Sequence, residues 1–182
     1  MNEQKKYEFT GEIKVVFGIN FKQIRAIINF GCVVAGEIGG WIEKEENLSQ
    51  SGDAWVYGNA KVSGNAEVYG DAKVSGDAWV YGDAKVSGNA KVSGNAWVSG
   101  DAEVKKDDDY MVIGGAGRYN RFTTFFKCRD KTIKVVCGCF FGTIIEFRAK
   151  VKETHKGNKH EKVYLAMADM AELQIGNDEV EK

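Results

Sequence analysis

The chain has 182 residues, 43 % of them hydrophobic, with 22 glycines, no proline and a formal net charge of −1. That length allows one or two small domains, and no apolar run approaches the roughly 20 residues of a membrane-spanning helix. The charge is uneven: residues 110–162 hold twelve basic side chains against four acidic ones, an excess that favours an anionic partner or simply covers a solvated face. Met1–Tyr7 is polar and carries no leader pattern. Four cysteines without a secretory context predict reduced thiols and a cytoplasmic protein.

Taken in order, Ile13–Phe17 and Phe21–Ile28 read as two short strands about a Gly18-Ile-Asn20 turn. Asn29–Gly40 is a glycine-rich approach, and Gly39–Gln50 reads as a degenerate first coil. Gly40 stands twelve residues before Gly52, which predicts Ile42 and Leu48 at buried alanine positions. From Gly52 to Val104 glycine recurs every six residues, followed by Asp or Asn, Ala, a variable residue and Val. Ala and Val sit two apart, so in an extended strand they share one face. Six residues cannot bury so thin an apolar edge alone, whereas stacked copies can. Gly followed by an Asx residue supplies the corner.

The variable residue offers an internal check on the size of the coil. At a spacing of 18, Trp79 lies on Trp97, and Glu67, Lys85 and Glu103 alternate in sign. At 12, Lys61, Lys73 and Lys85 would stack like on like, which is unfavourable. Eighteen is therefore preferred to twelve, giving three coils for nine units, each rising about 5 Å. The pattern resembles the hexapeptide-repeat proteins. That resemblance implies a mainly β protein built on a left-handed parallel β-helix and assembled as a homotrimer. The expected organisation is an N-terminal β cap over 1–51, the coil over 52–104 and an α+β domain over 105–182.

Gln23-Ile-Arg-Ala26, Ala35-Gly-Glu-Ile-Gly-Gly-Trp-Ile-Glu43 and Asn47-Leu-Ser-Gln50, leading into the repeats, resemble the opening of an uncharacterised hexapeptide-repeat family of bacteria and phages. The resemblance covers roughly residues 20–104 and implies no established activity. Lys105–Asp109 is a charged junction. Beyond it, Tyr110–Ile113 is a predicted strand, Gly114–Arg121 a loop, and Phe122–Cys128 with Thr132–Cys137 a hairpin. Thr143-Ile-Ile-Glu146 fits a capping box that opens a helix to about Thr154. Lys156-Gly-Asn158 breaks it, a second helix follows over His160–Gln174, and Asp178–Lys182 is expected to fray. Arg118-Tyr-Asn120, Thr123–Lys127, Cys137–Thr143 with Glu146-Phe147, and Val151–His155 resemble the tails of some phage-encoded repeat proteins.

Many proteins of the resembled fold are acyltransferases with a histidine base beside the coil, and one kind holds zinc on three histidines. This coil has no histidine, and His155 and His160 both lie in the tail. No catalytic residue, cofactor or metal is therefore assigned. Cys137-Gly-Cys139 with Cys128 and His155 is a weak zinc candidate, because structural zinc favours pairs spaced by two to four residues. Small buried side chains are the plainer reading, and Cys32 reads as structural. The ligand candidates are Arg118, Tyr119, Asn120, Arg121, Thr123 and Lys127. Their glycine-rich loop can turn amides toward an anion, its arginines can fork onto phosphate or carboxylate, and Tyr119 can stack on a base. The competing view is a solvated hairpin tip. Trp55, Trp79 and Trp97, with Tyr57, Tyr69 and Tyr81, point off the coil and are the interface candidates.

Three functional readings stand at this point. The first is a non-catalytic phage-type binding protein that presents basic heads to a nucleotide-like anion or a host defence protein and so inhibits host antiviral defence. The second is a structural trimeric assembly element, and the third a divergent acyltransferase using His155 or His160.

Overall fold

The computed structural model describes residues 5–117 and 119–176, without the side chain of Ala116. Arg118 and the expected frayed end, Asp178–Lys182, lie outside the described residues. Nine two-residue strands, β4 (Trp55–Val56) to β12 (Glu103–Val104), recur every six residues. They form the three parallel faces of a solenoid: β5, β8 and β11 on the first, β6, β9 and β12 on the second, β4, β7 and β10 on the third. Trp97 lies beside Trp79 and Glu103 beside Lys85, so a coil takes 18 residues, as the charge ladder predicts. All nine alanines and nine valines of the repeat are fully buried. The glycines that turn each corner have φ between +56° and +72°.

The degenerate first coil is present in a different register. Strand β3 (Ile38–Ile42) sets Ile42 beside Val62, and Leu48 bridges to Val68, so both occupy valine positions rather than the expected alanine ones. The offset of 20 residues accommodates two extra residues in the corner before Trp55. Gly40 instead falls in the alanine position, where a Cβ would stand 2.8 Å from the Ala60 carbonyl oxygen.

The N-terminal hairpin, β1 (Tyr7–Val16) and β2 (Ile19–Ala26), pairs antiparallel with β3 and lies over the outer side of the first face. Phe17 stacks on Trp79 with ring centroids 5.8 Å apart, Phe21 meets the same ring edge-on, and Lys14 stands 5.1 Å from the Trp41 ring centre. The Lys61 ammonium donates to the Asn59 carbonyl oxygen at 3.0 Å.

Both ends of the stack are closed by side chains. Within it, amides such as those of Trp79 and Tyr81 donate to carbonyls of the following coil, Ala96 and Val98. The first coil must therefore supply donors to the second, and the last coil is left with amides that have no further coil. At the first end Asn47 Nδ2 donates to the carbonyls of Gly64 and Ala66 at 3.1 and 2.8 Å, and the Tyr7 hydroxyl donates to that of Leu48 at 2.8 Å. The buried Lys6 ammonium donates to the Ala54 carbonyl, also at 2.8 Å. At the last end the amides of Lys91, Trp97 and Lys105 donate to Asp107 Oδ1, Thr124 Oγ1 and Asp109 Oδ2. The Tyr110 hydroxyl stands in for a strand residue, accepting from the Ser93 amide and donating to the Lys91 carbonyl.

Burial, only partly offset by Asp53, pushes the Lys6 ammonium down to about 8 from 10.5. Below pH 8 both folded and unfolded chains hold this proton. Between 8 and 10.5 the unfolded chain holds more of it, so its linkage raises stability with pH, by at most about 1.4 kcal/mol per unit. Urea midpoints at pH 7.5 and 9.5 should therefore favour the wild type over Lys6→Met more strongly at the higher pH. Parallel shifts in the two proteins would refute the coupling.

The C-terminal unit is a four-stranded antiparallel sheet, β13 (Tyr110–Ala116), β14 (Arg121–Lys127), β15 (Ile133–Cys137) and β16 (Phe140–Thr143), followed by α1 (Ile144–His155) and α2 (Lys159–Ile175). Strand β13 is longer than expected and β16 was not foreseen. Alternation divides the sheet cleanly. Tyr110, Phe126 and Val136 join the solenoid core, whereas Met111, Phe125, Ile133 and Val135 pack beneath the helices.

Candidate functional site

The capping box at Thr143 is present: its hydroxyl accepts from the Glu146 amide, and Glu146 accepts from the Thr143 amide at 2.7 Å. Helix α1 ends at Lys156 in a left-handed conformation, and Asn158 caps α2 by accepting from the amides of His160 and Glu161. This tight turn carries His155 at the end of one helix and His160 in the first turn of the next. Their rings lie 5.7 Å apart, and His155 stacks on Tyr164 at 5.4 Å. Tyr164 follows His160 by four residues and so shares its helix face.

These three side chains form one wall of a cleft of about 650 Å³. Arg121, Tyr119, Cys137 and Cys139 line it from the sheet side, Phe140, Phe147 and Val151 from below, and Lys150 and Asn158 at the rim. Among the described residues no carboxylate lines it. Lys150 is paired with Glu153 at 2.9 Å, whereas Arg121 has no carboxylate partner among the described residues. Its guanidinium lies 5.1 Å from the Tyr119 ring centre and runs over Gly138, where a Cβ would overlap Nη1. A planar cation held in this way by ring and backbone is an anion receptor already oriented. Burial and a hydrogen bond to Cys137 push the Tyr164 hydroxyl up to about 12, so at neutral pH it is a donor and not a base.

Arg121 also forms the wall of a second hollow on the other side of the sheet. This groove, about 320 Å³, runs between the last coil and the head and is lined by Asn95, Trp97, Phe122, Thr124, Val136 and Gly138. Gly138 faces the groove while its neighbours Cys137 and Cys139 face the cleft.

The predicted ligand residues divide accordingly. Tyr119 and Arg121 line the cleft, and exposed Asn120 turns the hairpin at φ 53°. Two assignments are corrected. Thr123 is fully buried with its hydroxyl donating to Cys137 Sγ at 3.2 Å, and largely buried Lys127 stands 4.0 Å from Asp109. Odd positions of β14 face the helices, so both share a side with Arg121, but they lie further along the strand and are covered there. Lys150, Asn158 and Tyr164 were missed. The symmetrical run His155-Lys-Gly-Asn-Lys-His160 was the available signal, because a helix break flanked by two histidines brings them face to face.

The zinc candidates do not converge. Cys128 lies at the coil junction with Asp101 and Asp130, apart from the cleft that Cys137, Cys139 and His155 line. The Lys134 ammonium, 2.5 Å from Asp101, already supplies the cation there, and burial pushes the Cys128 thiol up to about 12. Cys32 is exposed; its sulfur accepts from the Lys73 ammonium at 2.9 Å, which holds its pKa below the usual thiol value.

The aromatic columns are largely used within the chain. Trp55 is fully buried against Tyr7 and Phe30 and offers no surface, which corrects its assignment as an interface residue. Trp79 lies under Phe17 and Phe21 and beside Tyr81. Tyr57, Tyr69 and Tyr81 are half-buried at corners, and Trp97 keeps 38 % of its surface exposed, toward the groove.

The protein is a hexapeptide-repeat β-solenoid protein, mainly β, closed by a small sheet-and-helix unit. Residues 84–100 match a family described as YdcK Beta solenoid repeat. A stretch of 36 residues is 50 % identical to part of the "Uncharacterized acetyltransferase YdcK" of Escherichia coli (strain K12). That stretch is 20 % of this chain and spans only 11 % of the relative. Among the described residues no helix is long and apolar enough to cross a membrane.

Proposed function

We propose that this is a non-catalytic binding protein in which the solenoid carries a basic head, and the head holds an anionic ligand around Arg121. The observation that carries this reading is a cleft with an oriented guanidinium, two histidines and, among the described residues, no lining carboxylate. The resemblance to phage-encoded proteins supplies a setting, in which the anion is a nucleotide signal or an acidic patch of a host defence protein and its capture inhibits the defence. The expected homotrimer would have to use the charged coil faces around Lys73, Lys91, Glu67 and Lys85, because most of the aromatics are already covered within the chain.

Isothermal titration with inorganic phosphate, pyrophosphate and nucleotides tests the reading. Arg121→Ala should lower affinity at least tenfold, the loss of about one charge-assisted bond, while leaving the melting temperature unchanged. Equal affinity in the variant, or no binding by the wild type, would refute it.

A second reading, acyl transfer, is favoured only by the name of the relative and by the paired histidines. It requires acetyl-CoA turnover that is lost in both His155→Ala and His160→Ala.

A further inference from the structure

We infer that the ligand is a nucleotide, with its phosphate on Arg121 and its base in the groove between the last coil and the head. This rests on the anion-binding reading above and adds to it the class of ligand. The cleft and the groove are separate hollows that share one residue, Arg121. A ligand bound through its anion therefore has room on both sides of the guanidinium. The two sides differ in chemistry. The cleft brings the histidines and the Asn158 amide, which suit phosphate and sugar oxygens. The groove presents a partly exposed tryptophan, the exposed ring of Phe122 and the Val136 side chain, with Asn95 at its edge.

Aromatic faces beside an open carboxamide are the groups that take a planar heterocycle, stacking on its face and pairing with its polar edge. Among the repeat tryptophans, Trp55 is buried under the cap and Trp79 under the hairpin. Trp97 is flanked by Trp79 on one side and by the groove on the other. A groove of about 320 Å³ is ample for one base and small for a peptide or a second protein.

The repeat supplies substitutions that leave folding intact. Lysine stands at the position of Trp97 in four units, at 61, 73, 85 and 91, and aspartate at the position of Asn95 in five. Trp97→Lys and Asn95→Asp are therefore compatible with the coil. The test is equilibrium binding of AMP, GMP, CMP, UMP, their nucleosides and inorganic phosphate to the full chain, with circular dichroism confirming each variant's fold. At least one nucleotide should bind about tenfold more tightly than phosphate, and Trp97→Lys should reduce that preference to near unity. Asn95→Asp, which sets a carboxylate at the base edge, should change which base is preferred or abolish the preference. Phosphate binding as tightly as all four nucleotides, or a preference unaltered in Trp97→Lys, overturns this inference and leaves the anion site standing if Arg121→Ala still abolishes binding. Binding indifferent to Arg121→Ala, or no binding at all, overturns both.

Discussion

Gly82→Val is expected to destabilise the protein by about 3–5 kcal/mol, a large part of what a small domain has. Two costs add. Gly82 has φ +72°, where a side chain costs about 1–2 kcal/mol and a β-branched one most. Its Cβ would also stand 2.9 Å from the Gly100 backbone nitrogen one coil on, and backbone on both sides cannot give way without opening the stack. Gly58→Ala is the control. Gly58 has φ +56°, but an added Cβ would meet nothing within 4 Å, so the variant should lose only about 1 kcal/mol. Urea unfolding of both variants checks the comparison; equal losses would mean that inter-coil contact contributes nothing.

Asn47→Asp should be nearly as damaging, while Asp109→Asn should be mild. Both residues end a short turn of the same kind, Lys44-Glu-Glu-Asn47 before the coil and Lys106-Asp-Asp-Asp109 after it. Each accepts from the amide that opens its own turn, at 2.9 and 3.0 Å. They differ in what they offer the stack. Asn47 donates to the carbonyls of Gly64 and Ala66, so a carboxylate there would be buried against two oxygens at a cost of about 3 kcal/mol or more. Asp109 accepts from the Lys105 amide, a role an asparagine oxygen can keep, so the loss is a weakened bond and the 4.0 Å pairing with Lys127, about 1–2 kcal/mol. Thermal denaturation of the two variants measures the asymmetry, and similar shifts would show that the donor and acceptor roles are not as assigned.

The coil was legible because its rule is local: a six-residue period, an apolar pair and a corner glycine. The period of 18 is the one that the resemblance to hexapeptide-repeat proteins implies, and the Trp79–Trp97 and Glu67–Lys85–Glu103 columns agreed with it. What the repeat could not announce was what would lie on top of it. Trp55 looks outward in every unit-by-unit reading, yet it is buried because Tyr7 and Phe30 arrive from far along the chain. The shift of Ile42 and Leu48 was hidden for a local reason: Gly40 stands twelve residues before Gly52 as a corner glycine would, yet two added residues in the corner before Trp55 put it at an alanine position. In the head, the helix boundaries followed from Thr143 and the Lys156–Asn158 break. The site was only half visible. Arg121 and Tyr119 were readable from the loop, but the facing wall of His155, His160 and Tyr164 required knowing that α1 and α2 fold back over the sheet. Thr123 and Lys127 were misplaced because, although they share a side of β14 with Arg121, they lie further along the strand, where Thr123 is fully buried and Lys127 stands beside Asp109.

The side-chain caps carry a consequence for how such a module is kept finite. Each coil is a template for the next, and the amides left at one end of the stack match the carbonyls presented at the other. Two bare stacks could therefore dock end to end in register, and the contact would not close on itself, which is the geometry of an open filament. Asn47, Lys6 and Tyr7 at one pole, and Asp107, Asp109, Tyr110 and Thr124 at the other, act as chain terminators for that polymerisation. In this light the head is more than cargo on a rod: by seating Thr124 and Tyr110 on the last coil it sets the length of the rod that carries it.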